Sequence, residues 1–256
     1  MIYITGDCHG DFRRFSSKIF PEQKEMTRDD FVIICGDFGG IWNKKPFLSE
    51  ENYWLNWLND KPFTTLFVDG NHENFNRLRD DYSLVDYHGG KANQIRENIF
   101  HLERGYVFEI DGKSIFAFGG ASSHDIDDGI LDPDSFNSIT EFRNMKQTWD
   151  KQYKRYRIKN VSWWEEELPS PAEMQRGIEN LNKVNNTVDF VVTHCAPQEI
   201  CSIMSAGTYE PDILTLYFNG LLSDLKFSKW FFGHYHENRQ IMGKFIEIYE
   251  QIIQIN

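Results

Sequence analysis

The sequence predicts an α/β fold built from layered sheets and helices, on three observations. Short apolar, β-branched runs recur along the chain; a glycine-containing loop follows most of them; and helical patterns fall between them. Ile2–Thr5 reads as the first strand. Phe31–Cys35 reads as a second, buried on both faces because its apolar run is unbroken. Phe63–Val68, Val188–Thr193 and the short aromatic run Lys229–Phe232 supply three more. A first helix spans Asn52–Leu58, where Tyr53, Trp54, Trp57 and Leu58 recur at helical spacing. A second starts at Ser170-Pro171-Ala172-Glu173, a capping box with proline in the first turn, and runs to about Lys183. Phe100–Leu102, Tyr106–Ile110 and Ser114–Phe118 read as a meander, as do Arg239–Met242 and Lys244–Ile255, so the sheets are mixed.

One region departs from this rhythm. His124 to Asp134 is acidic, with Asp125, Asp127, Asp128, Asp132 and Asp134. A capping box at Ser138-Ile139-Thr140-Glu141 follows. Beyond it, Ile139, Phe142, Met145, Trp149, Tyr153 and Tyr156 share one helical face, and Arg143, Lys146, Lys151, Lys154, Arg155 and Arg157 the other. Residues 123–170 are therefore expected to form a helical insertion or cap within a single domain spanning 1–256. Its cations either face solvent or reach a substrate phosphate.

The 256 residues suffice for one large, well-buried domain, and 40% hydrophobic with 26% charged residues is an ordinary globular balance. A net charge of −12 argues against duplex nucleic acid as a partner, since a polyanion needs a broad basic face, but not against a small phosphorylated substrate. No apolar segment is long enough to span a membrane, and the N-terminus lacks a basic leader with an apolar stretch; a cytoplasmic protein is expected. Cys8, Cys35, Cys195 and Cys201 fit no zinc-finger spacing and read as reduced thiols. Cys8 and Cys195 adjoin site residues, which raises an oxidation-sensing role as an alternative.

Five motifs fall where strands end: Gly6-Asp7-Cys8-His9-Gly10, Gly36-Asp37-Phe38-Gly39, Gly70-Asn71-His72-Glu73, His194 after Val191-Val192-Thr193, and Gly233-His234-Tyr235-His236. Loops at the carboxyl ends of strands are where α/β folds build their sites, and glycine lets backbone approach a ligand closely. A single Asp-x-His arises often by chance; five such loops in order do not. Aspartate, asparagine and imidazole together suit a pair of divalent ions such as manganese, iron, nickel or zinc better than calcium or magnesium.

At these residues the chain resembles the calcineurin-like metallophosphoesterase superfamily, whose pattern is Asp-x-His, Gly-Asp, Gly-Asn-His-Asp/Glu, a strand-end His, then Gly-His-x-His. The motifs cover residues 7 to 236. The resemblance implies a four-layer αββα sandwich, with two mixed sheets face to face and helices outside. It implies two divalent metal ions, manganese foremost. Asp7, His9, Asp37 and His236 would hold one ion, Asp37 would bridge, and Asn71, His194 and His234 would complete the second. His72 would stand near the leaving oxygen as general acid or transition-state stabiliser, and a hydroxide between the ions would be the nucleophile.

The implied activity is hydrolysis of a small phosphodiester or phosphomonoester, with a nucleotide among the substrates considered. The second motif lacks the Gly-Asp-x-Val-Asp-Arg-Gly extension of the Ser/Thr protein phosphatase branch, so that branch is disfavoured. Asn71, Arg157 and Trp164 are expected substrate contacts, the last through one of two adjacent tryptophans in Ser162-Trp163-Trp164-Glu165-Glu166-Glu167. Arg77 and Arg79 are further phosphate candidates, and Glu73 and Asp11 are expected to orient histidines. Two other functions compete: a nuclease on single-stranded nucleic acid, and a degenerate binding module. The second is weakened because no motif residue is missing.

Overall fold

The structure, a computed structural model, describes residues 1–44 and 49–256. Its strands are β1 (Ile2–Thr5), β2 (Phe31–Ile34), β3 (Thr64–Phe67), β4 (Ser83–Tyr87), β5 (Gly90–Arg96), β6 (Ile99–Leu102), β7 (Tyr106–Ile110), β8 (Lys113–Phe118), β9 (Ile130–Leu131), β10 (Arg157–Ile158), β11 (Phe190–Thr193), β12 (Lys229–Phe232), β13 (Arg239–Ile241), β14 (Phe245–Glu247) and β15 (Ile252–Ile255). The helices are α1 (Ser49–Asn59), α2 (Phe75–Asp80), α3 (Ile139–Lys151), α4 (Pro171–Lys183), α5 (Gln198–Ser205) and α6 (Ile213–Leu221).

Two large mixed sheets result. One has seven strands in the order β15-β1-β2-β3-β6-β5-β4; the other has six, β13-β14-β12-β11-β8-β7. β1, β2 and β3 run parallel in the first, and β8, β11 and β12 in the second. Their inner faces meet in one core, where Ile2, Ile33 and Leu66 pack with Ile115, Phe190 and Val192. The outer face of the seven-stranded sheet (Val32, Ile34, Phe67) is covered by Leu55 and Leu58 of α1 and by Phe12 and Phe15. The outer face of the six-stranded sheet (Phe118, Val191, Trp230) is covered by Leu181 of α4, Ile200 of α5 and Phe218 of α6. Alternating side chains feed different layers, so each fully apolar strand is explained by burial on both sides. This is the expected four-layer sandwich.

The two expected meanders are corrected. β6 stays in the seven-stranded sheet while β7 and β8 form a hairpin in the other, and β15 leaves β13 and β14 to pair antiparallel with β1. Gly105, at φ +80°, lies where the chain crosses between sheets. The β4–β5 hairpin was not anticipated. Tyr87 pairs with Gly90, so His88 and Gly89 are its two-residue turn, both at positive φ. That geometry is the tight hairpin turn whose twist matches its strands.

The 123–170 segment also differs from expectation. α3 ends at Lys151 rather than continuing past Tyr156; Tyr153 adopts a left-handed φ of 55° and is 92% exposed. No residue of α3 is buried, so its apolar face does not pack on the sandwich. The acidic and basic stretches answer each other instead. Asp125 pairs with Arg157, Asp127 with Arg155, Asp128 with Lys154 and Asp132 with Lys159.

Candidate metal centre

The motif loops leave the carboxyl ends of β1, β2, β3, β11 and β12, which two parallel sets of strands bring to one edge of the sandwich. Four of their side chains sit on backbone that L-residues avoid: His9 (φ 48°), Asp37 (45°), His234 (69°) and His236 (57°). Such strain costs about 1–3 kcal/mol per residue and gathers at functional sites. Gly70 and Gly233 pack against carboxylates, where a Cβ would overlap Asp37 Oδ1 and Asp7 Oδ1 respectively.

Asp7 is buried and accepts the His234 backbone N–H at 3.0 Å. Its Oδ2 is 3.1 Å from His236 Nε2 and 3.8 Å from His9 Nε2, and the two ring nitrogens lie 3.1 Å apart. Asp37 accepts the His72 N–H at 2.8 Å. Its Oδ1 is 3.3 Å from His194 Nε2, while its Oδ2 is 3.8 Å from His9 Nδ1. One carboxylate thus faces two groups of ligand atoms. His194 Nδ1 donates to the Cys35 carbonyl at 2.8 Å, which turns Nε2 toward the site, 3.3 Å from Asn71 Oδ1. His234 packs its ring against His194, with centroids 4.8 Å apart.

Ligand-type atoms within reach of one shared ion occur in three groups among the described residues: Asp7, His9 and His236; His9, Asp37 and His72; and Asp7, Asp37 and His194. His72 belongs to one of these groups, so geometry alone does not separate it from the ligands.

The electrostatics agree with a site shaped for cations. Burial would push the Asp37 carboxyl up, but His194, His72 and His9 reverse this and hold it well below the usual carboxylate range. Burial would lower His194, yet Asp37 and Asp7 raise it to about 10. A proton on His194 occupies the place of a cation, so a bound ion would displace it. Lone pairs from four side chains converge here beside two buried carboxylates, and the residues present therefore fit a divalent pair.

A match to the family described as calcineurin-like phosphoesterase spans residues 1–238. The chain belongs to the calcineurin-like phosphoesterase family. Such phosphoesterases use divalent metal ions in a binuclear site, and this one retains every motif position. It is also similar to lariat debranching enzymes. With that of Homo sapiens it is 22% identical over 263 aligned residues, covering 92% of this chain and 42% of the relative. With that of Danio rerio it is 26% identical over 171 residues, covering 60% of this chain and 29% of the relative. With that of Arabidopsis thaliana it is 31% identical over 113 residues, 40% of this chain and 25% of the relative. These matches span less than half the length of the relatives.

Several side chains of the phosphoesterase depart from expectation. Trp164 is fully buried and packs edge-on against Trp42, whose ring lies 5.6 Å from His72. A substrate ring cannot reach it; it supports the wall behind His72, and the expected stacking contact is corrected. Glu73 orients no histidine: its Oε1 accepts the Phe38 and Gly39 N–H groups and so pins the loop after Asp37. Asp11 binds Arg13 instead of a histidine. Arg77 pairs with Glu51 and Asp81, and Arg79 with Asp80 and Glu166, so carboxylates already engage both guanidinium groups. Arg157 is close enough to His72 to lower its pKa, after the larger effect of burial. The His72 imidazole is therefore disfavoured as a cation and offers a neutral ring N–H.

His124 was missed. It follows β8 through Gly119-Gly120, the same strand-then-glycine signal as four of the five motifs, but it reads as the start of the acidic stretch. Its ring lies 4.3 Å from that of His234. Asp69, two residues after β3, was missed too; it binds Arg104 and His101 in the interior.

The thiols are closed off. All four are free and buried, and burial pushes Cys8 to about 12 and Cys201 to about 11. Folded protein treated with iodoacetamide at pH 8 is expected to show no labelling by mass spectrometry within an hour. Rapid labelling of Cys8 or Cys195 would revive an oxidation-sensing role.

Proposed function

We propose that this chain hydrolyses a phosphodiester of a small, nucleotide-like substrate with two divalent ions, manganese foremost. Asp7, His9, Asp37 and His236 would hold one ion, and Asp37, Asn71, His194 and His234 would hold the other. The observation that carries this reading is Asp37, whose two oxygens face separate ligand groups. When bound, the ions lower the pKa of water and neutralise phosphate oxygens.

The rest falls to the protein. His72, held by its backbone N–H on Asp37, presents its ring N–H to the departing oxygen. Arg157, half of a pair with Asp125 and only partly exposed, lies near enough to attract a phosphate oxygen to the His72 side. A cavity of about 640 Å³ adjoins the other side, with His234 and His124 at its metal end and Tyr209, Tyr235 and Glu210 in its walls. Tyr209 stacks on Tyr235 at 5.4 Å and leaves its outer face open, which suits a flat leaving group. Carboxylates in the walls disfavour a second phosphate there.

The relatives' name favours a second reading, a lariat-type phosphodiester, which would need more surface than this cavity. No helix among the described residues is long and apolar enough to cross a membrane. The deciding assay compares a chromogenic phosphodiester, its monoester, a cyclic or dinucleotide diester and a lariat, all with manganese restored to metal-stripped protein. Turnover of the small diesters above the monoester and the lariat is expected; turnover of the lariat alone would replace this reading with the second.

A further inference from the structure

Asn71 can serve as a ligand only if its amide oxygen, and not its NH2, faces the ion. Nothing in an asparagine fixes that choice; its surroundings must. Here Nδ2 points to Ser123 Oγ at 3.4 Å. Ser123 Oγ in turn lies 2.7 Å from Glu167 Oε2, and the Ser123 backbone N–H reaches the same oxygen at 3.2 Å. All three residues are buried: Asn71 4%, Ser123 5% and Glu167 1% exposed.

A backbone N–H can only donate, so Glu167 Oε2 is an acceptor. Burial raises the Glu167 carboxyl to about 8 against the opposing hydrogen bonds of Ser123 and of the Trp164 backbone N–H; its other oxygen, Oε1, makes no close hydrogen bond among the described residues and is where a proton would sit. In either protonation state Oε2 therefore accepts from Ser123. The serine has one hydroxyl proton, and Glu167 takes it. Its oxygen offers Asn71 only lone pairs, so the amide must turn its NH2 to Ser123 and its oxygen to the metal side, 3.3 Å from His194 Nε2.

Glu167 is itself held. It ends a short turn at Glu165–Glu167. Arg104 donates to the Glu166 carbonyl at 2.7 Å, and Trp164 is wedged against Trp42 and Phe75. The Trp-Trp-Glu-Glu-Glu run thereby gains a role that its sequence alone does not disclose.

We propose that Ser123 and Glu167 are positioning residues that fix the amide orientation of Asn71 and so set the affinity of the ion it binds. This rests on the two-metal reading above. The test is a manganese titration of metal-stripped protein by calorimetry, with low-temperature electron paramagnetic resonance at two equivalents. The variants are Ser123→Ala, Ser123→Thr, Glu167→Ala and Glu167→Gln.

Removing the hydroxyl or the carboxylate is expected to weaken one of the two ions by about 10–100-fold, the usual effect of losing an outer-sphere partner, and to replace the spin-coupled pair signal with that of an isolated ion. Ser123→Thr keeps the hydroxyl. Glu167→Gln keeps an oxygen where the Ser123 N–H demands one. Both should stay within about threefold of the parent, which a role in mere packing would not require. Should Ser123→Ala fail to fold, the Glu167→Ala and Glu167→Gln pair carries the test alone. A parent that binds two ions with Ser123→Ala or Glu167→Ala unchanged would overturn the relay. A parent that binds no manganese would instead overturn the two-metal reading.

Discussion

His72→Ala is expected to lower kcat for the phosphodiester by about 10²–10³-fold while both metal ions still bind. That is the range for removing one hydrogen-bond donor aimed at developing charge. The ring is mostly buried, wedged between His9 at 5.0 Å and Trp42 at 5.6 Å between centroids, so its N–H is aimed before substrate arrives. KM should change little, because the contact strengthens only as the leaving oxygen gains charge. An activated leaving group such as p-nitrophenolate should be less affected than an alkoxide. Metal content measured by mass spectrometry separates this from the alternative, since His72 also shares a group of ligand atoms with His9 and Asp37. Loss of an ion in His72→Ala would reassign it as a ligand.

Asp69→Asn is expected to destabilise the fold by about 3–5 kcal/mol, the cost of leaving a buried charge without its partner. Asp69 and Arg104 are 1% and 4% exposed at their side chains, with His101 Nε2 at 3.0 Å on the other carboxylate oxygen. The Asp69 carbonyl also accepts the Gly120 N–H at 2.8 Å, which ties the end of β3 to the end of β8. Burial would push the Asp69 carboxyl up; Arg104 and His101 outweigh it and hold the group well below its ordinary value. A carboxyl depressed in the folded state binds fewer protons there than when unfolded. Its stabilisation is therefore fully present above the ordinary aspartate pKa of about 3.9 and is lost progressively as pH falls from there through the lower folded value. Urea unfolding at pH 7 and at pH 3.5 checks both parts. The gap between parent and Asp69→Asn should shrink at the lower pH, and a gap below about 1 kcal/mol at pH 7 would contradict the account.

The strands that carry the site were legible because they are apolar on both faces and, β11 apart, run into a glycine. β1, β2, β3, β11 and β12 were each found to within two residues. The layer to which a strand belongs was not legible, since β6 and β7 are separated only by a short link and look alike, yet lie in different sheets. β4 escaped because all five of its residues are exposed or half-buried, so its pattern carries no continuous apolar run. The helix α3 was found but overextended, because a face of aromatic residues persists beyond the point where Tyr153 turns left-handed.

At the site, residue types with ligand chemistry announced themselves; their supports did not. Ser123 and Glu167 act through a serine hydroxyl and a carboxylate 44 residues apart. Nothing local in the sequence joins them. Trp164 shows the converse, a residue whose chemistry suggested contact with substrate and whose neighbours put it behind the wall instead.

The measurement closest to the central claim is a manganese titration of metal-stripped protein that follows bound metal and phosphodiester hydrolysis in the same samples, for the parent and for Asp37→Asn. Two ions per chain are expected in the parent, with activity that rises only as the second site fills, and about 10³-fold or greater loss in Asp37→Asn together with loss of at least one ion, as several kcal/mol of charge stabilisation disappear. Hydrolysis that persists under chelation, or an Asp37→Asn protein that binds two ions and turns over like the parent, would contradict the central claim.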